Sequence, residues 1–399
     1  MAHHKVWITL PDGESYEVGD LAFGRASADG RCPSAFRYSA TWLRQGFSLD
    51  PESLPLRPGE FQASHLAPPL AVFADALPDM WGQHIIDLTR SLPISQRTQE
   101  RYLAEIGGHA LGAIGFNRPV DRFDPRLTLS LDKLAQAALD VDAGREVNIE
   151  ASRLFAHGAS AGGARPKILI SFEEAAWIAK LPSPHQDRGF DVPLLEYVSM
   201  QIARECLPST PETQLKVLAG RNAVLIRRFD VADKGRHHQL SFSTLGRERA
   251  LNYAGGYDDL ARILTRHSAD PREDLSRLFT QAVLNAALGN TDDHLKNFMM
   301  QRTPGGYRLS PPFDIVPNIG RNIEHVLAFG LSRYAPERHT MMELGLRWKL
   351  TAEEAAARIS QVTNCVAGFS ERLAAADGSL DAHSVLLSDI ATRTARLAC

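Results

Sequence analysis

The stretch LGNTDDHLKNFMM, residues 288–300, decides how the rest of the chain is read. Just before it, Leu275, Leu278, Phe279, Ala282, Val283 and Ala286 recur at the i, i+3, i+4 spacing of a buried helix face. Gly289 then stands where a C-terminal glycine cap belongs. The polar stretch therefore begins where a buried helix ends, in a loop that can hold side chains rigidly, and functional residues concentrate in such loops. A solvated turn at a helix end would explain Asp292-Asp293-His294 taken alone.

Spacing carries the reading further. Asp292 precedes Asn297 by five positions, the D-x-x-x-x-N arrangement of protein-kinase catalytic loops, in which one residue orients the acceptor hydroxyl and the other holds magnesium. Downstream, NFMMQRTPGGYRLSPPFDIV predicts a strand, a Pro-Gly-Gly turn and a return strand that delivers Asp314 beside Asn297. Two hard oxygen ligands from separate segments, with water and substrate phosphates, are what Mg²⁺ takes. A phosphatase with an aspartate nucleophile would want it at the end of a parallel strand, whereas Asp292 follows a helix.

Composition sets the frame. With 399 residues, 44% hydrophobic and 23% charged, the chain reads as a soluble globular protein of two or three domains. A formal charge of -3 supplies no global attraction to nucleic acid. Cys32, Cys206, Cys365 and Cys399 include no C-x-x-C pair, so neither a zinc site nor a disulfide framework is suggested and a reducing cytoplasm fits. The start, MAHHKVWITLPDG, lacks a signal pattern, and no apolar run reaches bilayer-spanning length.

The expected class is α/β, in three parts. Residues 1–65 form a β-rich N-terminal module, read from KVWITL, the turn PDG, SYEVGDLAF and AFRYSATWL. Residues 66–235 hold a helical segment, with Ser130 as an N-cap, and then a nucleotide-binding lobe with strands RPKILISF, AAWIAK and NAVLIRRFDV. Residues 236–399 form a mostly helical C-terminal lobe carrying the catalytic loop and the metal site.

A kinase must also grip ATP, and the upstream region offers candidates in order. HGASAGGARPK, residues 157–167, gathers Gly158, Gly162 and Gly163 with small Ala164, which lets backbone N–H groups approach phosphate. It is no Walker loop, and a plain turn would serve equally. Lys180 closes the apolar strand AAWIAK, where a snorkelling surface lysine is the alternative. Glu196, on the helix VPLLEYVSMQIA, is placed to pair with it. Phe229 is available for adenine packing and Asp230 for ribose hydroxyls, although Arg228-Phe229-Asp230 also suits a simple strand end.

GASAGGARPK, IAKLP, RRFD, GNTDDHLKNF and LSPPFDIVPN, in this order, resemble the HipA-type serine/threonine kinases, toxins of bacterial type II toxin-antitoxin systems. FRYSATWL, GFSLDPESLPLR and FADALPDMWG resemble the small module such proteins carry ahead of the kinase core, here fused to it. The resemblance implies a bilobal protein-kinase-like core that binds ATP and Mg²⁺. It makes Asp292 the catalytic base, Asn297 and Asp314 the metal ligands, Lys180 the contact to the ATP phosphates and Asp230 the ribose holder. Ser160, seven residues before Lys167, takes the place of an autophosphorylated serine. His294 would shape the turn and Lys296 would neutralise the transferring phosphate. The hinge reads RFDV where RFDR is frequent, and the first glycine-loop positions are alanine-rich; neither departure removes a required group.

By the same resemblance the protein transfers the γ-phosphoryl of MgATP to a protein serine or threonine. Implied partners are a helix-turn-helix antitoxin, DNA only through that antitoxin, and a protein substrate such as an aminoacyl-tRNA synthetase; no membrane is involved. The alternatives are a catalytically silent co-repressor subunit and a small-molecule or lipid kinase, since fold does not fix substrate.

Overall fold

The alternation in KVWITL and SYEVGDLAF becomes an antiparallel pair, β1 (Ala2–Thr9) and β2 (Ser15–Phe23), joined across the PDG turn. The computed structural model describes residues 2–63, 70–121, 130–145, 163–246, 255–320, 322–376 and 378–399. Strands β3 (Ser34–Tyr38), β4 (Phe61–Ala63) and β5 (Ile114–Phe116) complete a sheet in the order β4-β3-β2-β1-β5. Val6, Ile8, Val18, Leu21, Phe36 and Phe116 are buried in it.

Two elements differ from the sequence reading. AFRYSATWL is not one strand: β3 ends at Tyr38, and Ser39 accepts the Trp42 N–H at 3.1 Å to cap the helix Ala40–Gln45. A serine oxygen there satisfies an orphan donor of the first turn, so the chain leaves the sheet as Trp42 enters the core. Residues 66–145, expected to be helical, do contain the helices Met80–Arg90, Gln99–Ile106 and Leu131–Asp142, but also β5, which pairs with β1 through Val6↔Phe116 and Ile8↔Ile114. Ser130 occupies the N-cap position of Leu131–Asp142 without a side-chain capping bond.

Strands β6 (Lys167–Phe172) and β7 (Ala175–Lys180) form a hairpin, which sets Lys167 directly opposite Lys180. Glu173 and Glu174 take φ of 48° and 57° between them, the positive values of the primed turn that matches strand twist.

The chain divides into two compact units: Met1–Ser183 with Val217–Arg221 and Arg227–Leu240, and Pro184–Lys216 with Asn222–Ile226 and Ser241–Cys399. The second is mostly helical. Its centre is the helix Pro271–Leu288, opened by Asp270, which accepts the Glu273 N–H at 3.2 Å, and closed by Gly289 at φ 70°. That left-handed value is why the cap is a glycine. The helix packs against Tyr257–His267, Ala352–Ala367 and Ser384–Ala398. Leu278, Phe279, Ala282 and Val283 are wholly buried, and each large apolar side chain so placed contributes about 1.5–3 kcal/mol. The helix is thus a fixed platform for the loop that leaves it.

Candidate active site

The predicted hairpin follows the loop, as strands Met299–Thr303 and Gly306–Leu309 with Met300 opposite Leu309. Its return strand is tied to the platform helix. Buried Asp274 accepts the Leu309 N–H at 2.8 Å and pairs with Arg308 at 3.0 Å. The Ser310 N–H then bonds the Met299 carbonyl at 2.8 Å, so the chain passes back beside the end of the catalytic loop before reaching Asp314.

Within the second unit the loop separates its two aspartates. The Asp292 side chain is 73% exposed and lies 3.8 Å from His294 Nε2. Asp293 is buried: Oδ2 accepts from Tyr257 Oη at 2.7 Å and lies 3.1 Å from His325 Nδ1, while Oδ1 accepts the Val326 and Leu327 N–H groups at 2.9 and 3.3 Å. Burial, with the Asp293 charge beside it, raises the Tyr257 phenol well above its ordinary value, so that hydroxyl stays protonated and donating.

Asn297 is buried, and its Nδ2 donates to the Asp292 carbonyl at 2.9 Å. With Nδ2 committed, Oδ1 is the side-chain atom left to meet a cation, and no hydrogen bond reaches it from the described residues. Asp314 adopts φ 56°, unusual for a residue with a side chain, and its carbonyl lies 3.5 Å from Asn290 Nδ2. An amide oxygen and a carboxylate form a hard-oxygen donor set that suits Mg²⁺. Lys296 is exposed and His294 half-buried. Glu196 also belongs to this unit, buried on the helix Val192–Cys206.

Within the first unit, Ser160 and Gly162 fall outside the described residues. Gly163 has φ 101°, and a Cβ there would lie 2.4 Å from the Lys167 ammonium. Its N–H donates to Asp79 at 2.8 Å, its carbonyl accepts the Trp81 N–H at 3.2 Å, and Trp81 Nε1 donates to the Lys167 carbonyl at 2.9 Å. The foot of the glycine loop is therefore anchored to the start of the helix Met80–Arg90. Ala164 beside it is exposed. Lys167 and Lys180, directly opposed, lie on the same face of the hairpin.

Arg228 and Asp230 form a buried pair, at 2.9 Å from Nε and 2.6 Å from Nη2, and Asp230 also accepts the Gly112 N–H at 2.8 Å. Burial works against its ionisation, but the charge and hydrogen bonds of Arg228, helped by Arg236 and Gly112, outweigh it and hold the carboxyl down at about 2. Both oxygens of the residue expected at the ribose are thus engaged by protein groups. Arg236 donates to the Asp121 carbonyl at 2.9 Å, and His238 Nε2 lies 2.8 Å from the Leu49 carbonyl, so the segment after the strand Arg221–Arg227 is seated on the N-terminal sheet module. Phe229 is half-buried.

Sequence reasoning did not find Asp293, Tyr257 or His325. They lie 32 to 36 residues apart along the chain in two of their contacts, and no local spacing connects them.

A small β-sheet module followed by a glycine loop, a lysine-bearing hairpin and a helix-borne Asp-Asn loop defines a protein of the kinase-like fold class. The chain belongs to the HipA family: the HipA-like C-terminal domain matches residues 159–369 and the HipA N-terminal domain residues 15–117. It is 25% identical over 388 residues to a Sinorhizobium fredii protein named "Putative kinase Y4mE", covering 88% of each chain. A second protein of that organism, named "Putative kinase Y4dM", is 34% identical over 164 residues, 36% of this chain and 38% of that one. Its fold is that of HipA of Shewanella oneidensis MR-1, solved as a toxin-antitoxin complex with HipB and operator DNA. The TM-score is 0.69 at 18% identity, over 98% of this chain and 97% of that one. Among the described residues no helix is long and apolar enough to cross a membrane.

Proposed function

We propose that this protein is a HipA-type kinase that transfers the γ-phosphoryl group of MgATP to a serine or threonine hydroxyl of a protein. The observation that carries the reading is the catalytic loop: Asp292 projects to solvent between buried Thr291 and Asp293, with its carbonyl bonded to the Asn297 side chain. Asp292 orients the acceptor hydroxyl and takes its proton. Phosphoryl transfer passes through a loose, charge-spread transition state, so the protein acts chiefly by positioning and by neutralising charge. Asn297 and Asp314 would hold the magnesium, which supplies charge neutralisation at the phosphates when bound. Lys180, with Lys167 opposite it, meets the phosphate oxygens beside Gly163 and Ala164, and Phe229 and Asp230 lie in the segment that receives the nucleoside.

Ser160 is the proposed site of autophosphorylation, and the proposed acceptor is a component of translation such as an aminoacyl-tRNA synthetase. A helix-turn-helix antitoxin is the proposed partner, supported by the HipB complex of the Shewanella protein, with DNA reached through it. Incubating the protein with γ-labelled ATP, Mg²⁺ and fractionated lysate tests the reading. Label is expected in protein and in the residue 157–167 peptide. Label confined to small molecules selects a metabolite or lipid kinase, and no transfer selects the silent co-repressor.

A further inference from the structure

The loop holds a second aspartate that the transfer step itself does not use. Asp293 adjoins Asp292, yet its side chain is completely buried. It receives two backbone and one phenolic hydrogen, with a histidine nitrogen as fourth neighbour. No lysine or arginine pairs with it among the described residues. An ionised carboxylate accepts at every one of these positions, whereas an amide would turn an NH₂ toward Tyr257 or toward the strand.

The contacts run in two directions. On one side, the Val326 N–H is shared between Asp293 and the Thr291 carbonyl, at 3.2 Å from the latter. Asp292 is thereby bracketed by two buried residues held to the strand Glu324–Phe329. On the other side, Tyr257 Oη accepts from Asn285 Nδ2 at 2.9 Å. Asn285 Oδ1 accepts from Asn290 Nδ2 at 3.2 Å, and that same amide faces the Asp314 carbonyl. We propose that Asp293 is a positioning residue of the phosphoryl-transfer site, fixing Asp292 directly and the backbone of Asp314 through Tyr257, Asn285 and Asn290.

The inference rests on the kinase reading, and its test separates the two. Tyr257→Phe removes one hydroxyl and keeps the ring stacked on Phe329, whose centroid is 4.8 Å away, so this variant folds. For the full chain, kcat of MgATP consumption is expected to fall about 10- to 100-fold while KM for ATP stays within about threefold, as misplacement of reacting groups predicts. Amide exchange across residues 290–298, measured without nucleotide, should quicken. Asp293→Asn should act in the same direction and further. Asn290→Ala added to Tyr257→Phe should do no more than the worse single change, because both cut one chain. A folded Tyr257→Phe protein with the parental kcat and parental exchange overturns the inference, as does full additivity of the pair. A parent that consumes no ATP sinks the kinase reading instead, and exchange in the two single variants then decides the inference.

Discussion

Two buried aspartates hold two turns of this molecule, and they do so with different partners. Asp230 holds the segment after the strand Arg221–Arg227 through a bidentate arginine and a second arginine nearby. Asp293 holds the catalytic loop through a phenol, two backbone amides and a histidine nitrogen. The first arrangement is strong but depends on both members keeping their charge, because a lone buried ion is costly. The second is directional, and each donor fixes an angle as well as a distance. A loop that must aim one carboxylate benefits from the second kind.

The sharpest contrast lies between neighbours. Asp292→Asn keeps volume and packing but removes the proton acceptor, so turnover should drop about 10²–10⁴-fold while nucleotide binding, followed by calorimetry, persists. Turnover within about tenfold of the parent, a barrier change of only about 1.4 kcal/mol, would remove Asp292 from that role. Arg228→Ala strands the buried Asp230 carboxylate and should cost about 3–5 kcal/mol in urea unfolding. A loss below about 1 kcal/mol would mean that Asp230 is held by Gly112 and water rather than by charge.

Acid sharpens the same difference. The folded carboxyl of Asp230 sits at about 2, below its ordinary value of about 3.9 in the unfolded chain. Its contribution, about 2–3 kcal/mol, is therefore fully present above about pH 4 and is lost as pH falls through the folded value. Unfolding midpoints measured from pH 5 down to 2 should show the parent losing an increment that Asp230→Asn does not. The smallest effect belongs to the hydrogen-bond network around Asp293: Tyr257→Phe should lower stability by only about 1 kcal/mol, far less than Arg228→Ala, even though it touches the catalytic loop.

Much of this was legible from sequence where the signal is local. Gly289 and the hairpin that returns toward Asp314 both follow from spacing and turn chemistry within a dozen residues or so. What escaped reading depends on distant partners. Asp292 and Asp293 are the same letter side by side, and only Tyr257 and His325 make one of them buried. Strand β5 is three residues long, and pairing with β1, more than a hundred positions away, is what makes it a strand. Ser39 was hidden inside an apolar run whose alternation continued past the point where the chain turns. Asp230 looks open in RRFD until Gly112 arrives from the N-terminal part of the chain.

The pairing of Lys167 with Lys180 makes the length of one turn a question of parity. Successive residues of a strand point to opposite faces, so adding or deleting one residue at Glu173–Glu174 and letting the pairing slip with it would move one ammonium to the far side of the hairpin. A change of two restores the face but shifts the charge along the strand by two residues, about 6.5–7 Å. The hairpin can therefore accept substitution at its tip far more readily than any change in count, and natural variation in this segment should appear as changes of residue and not as insertions.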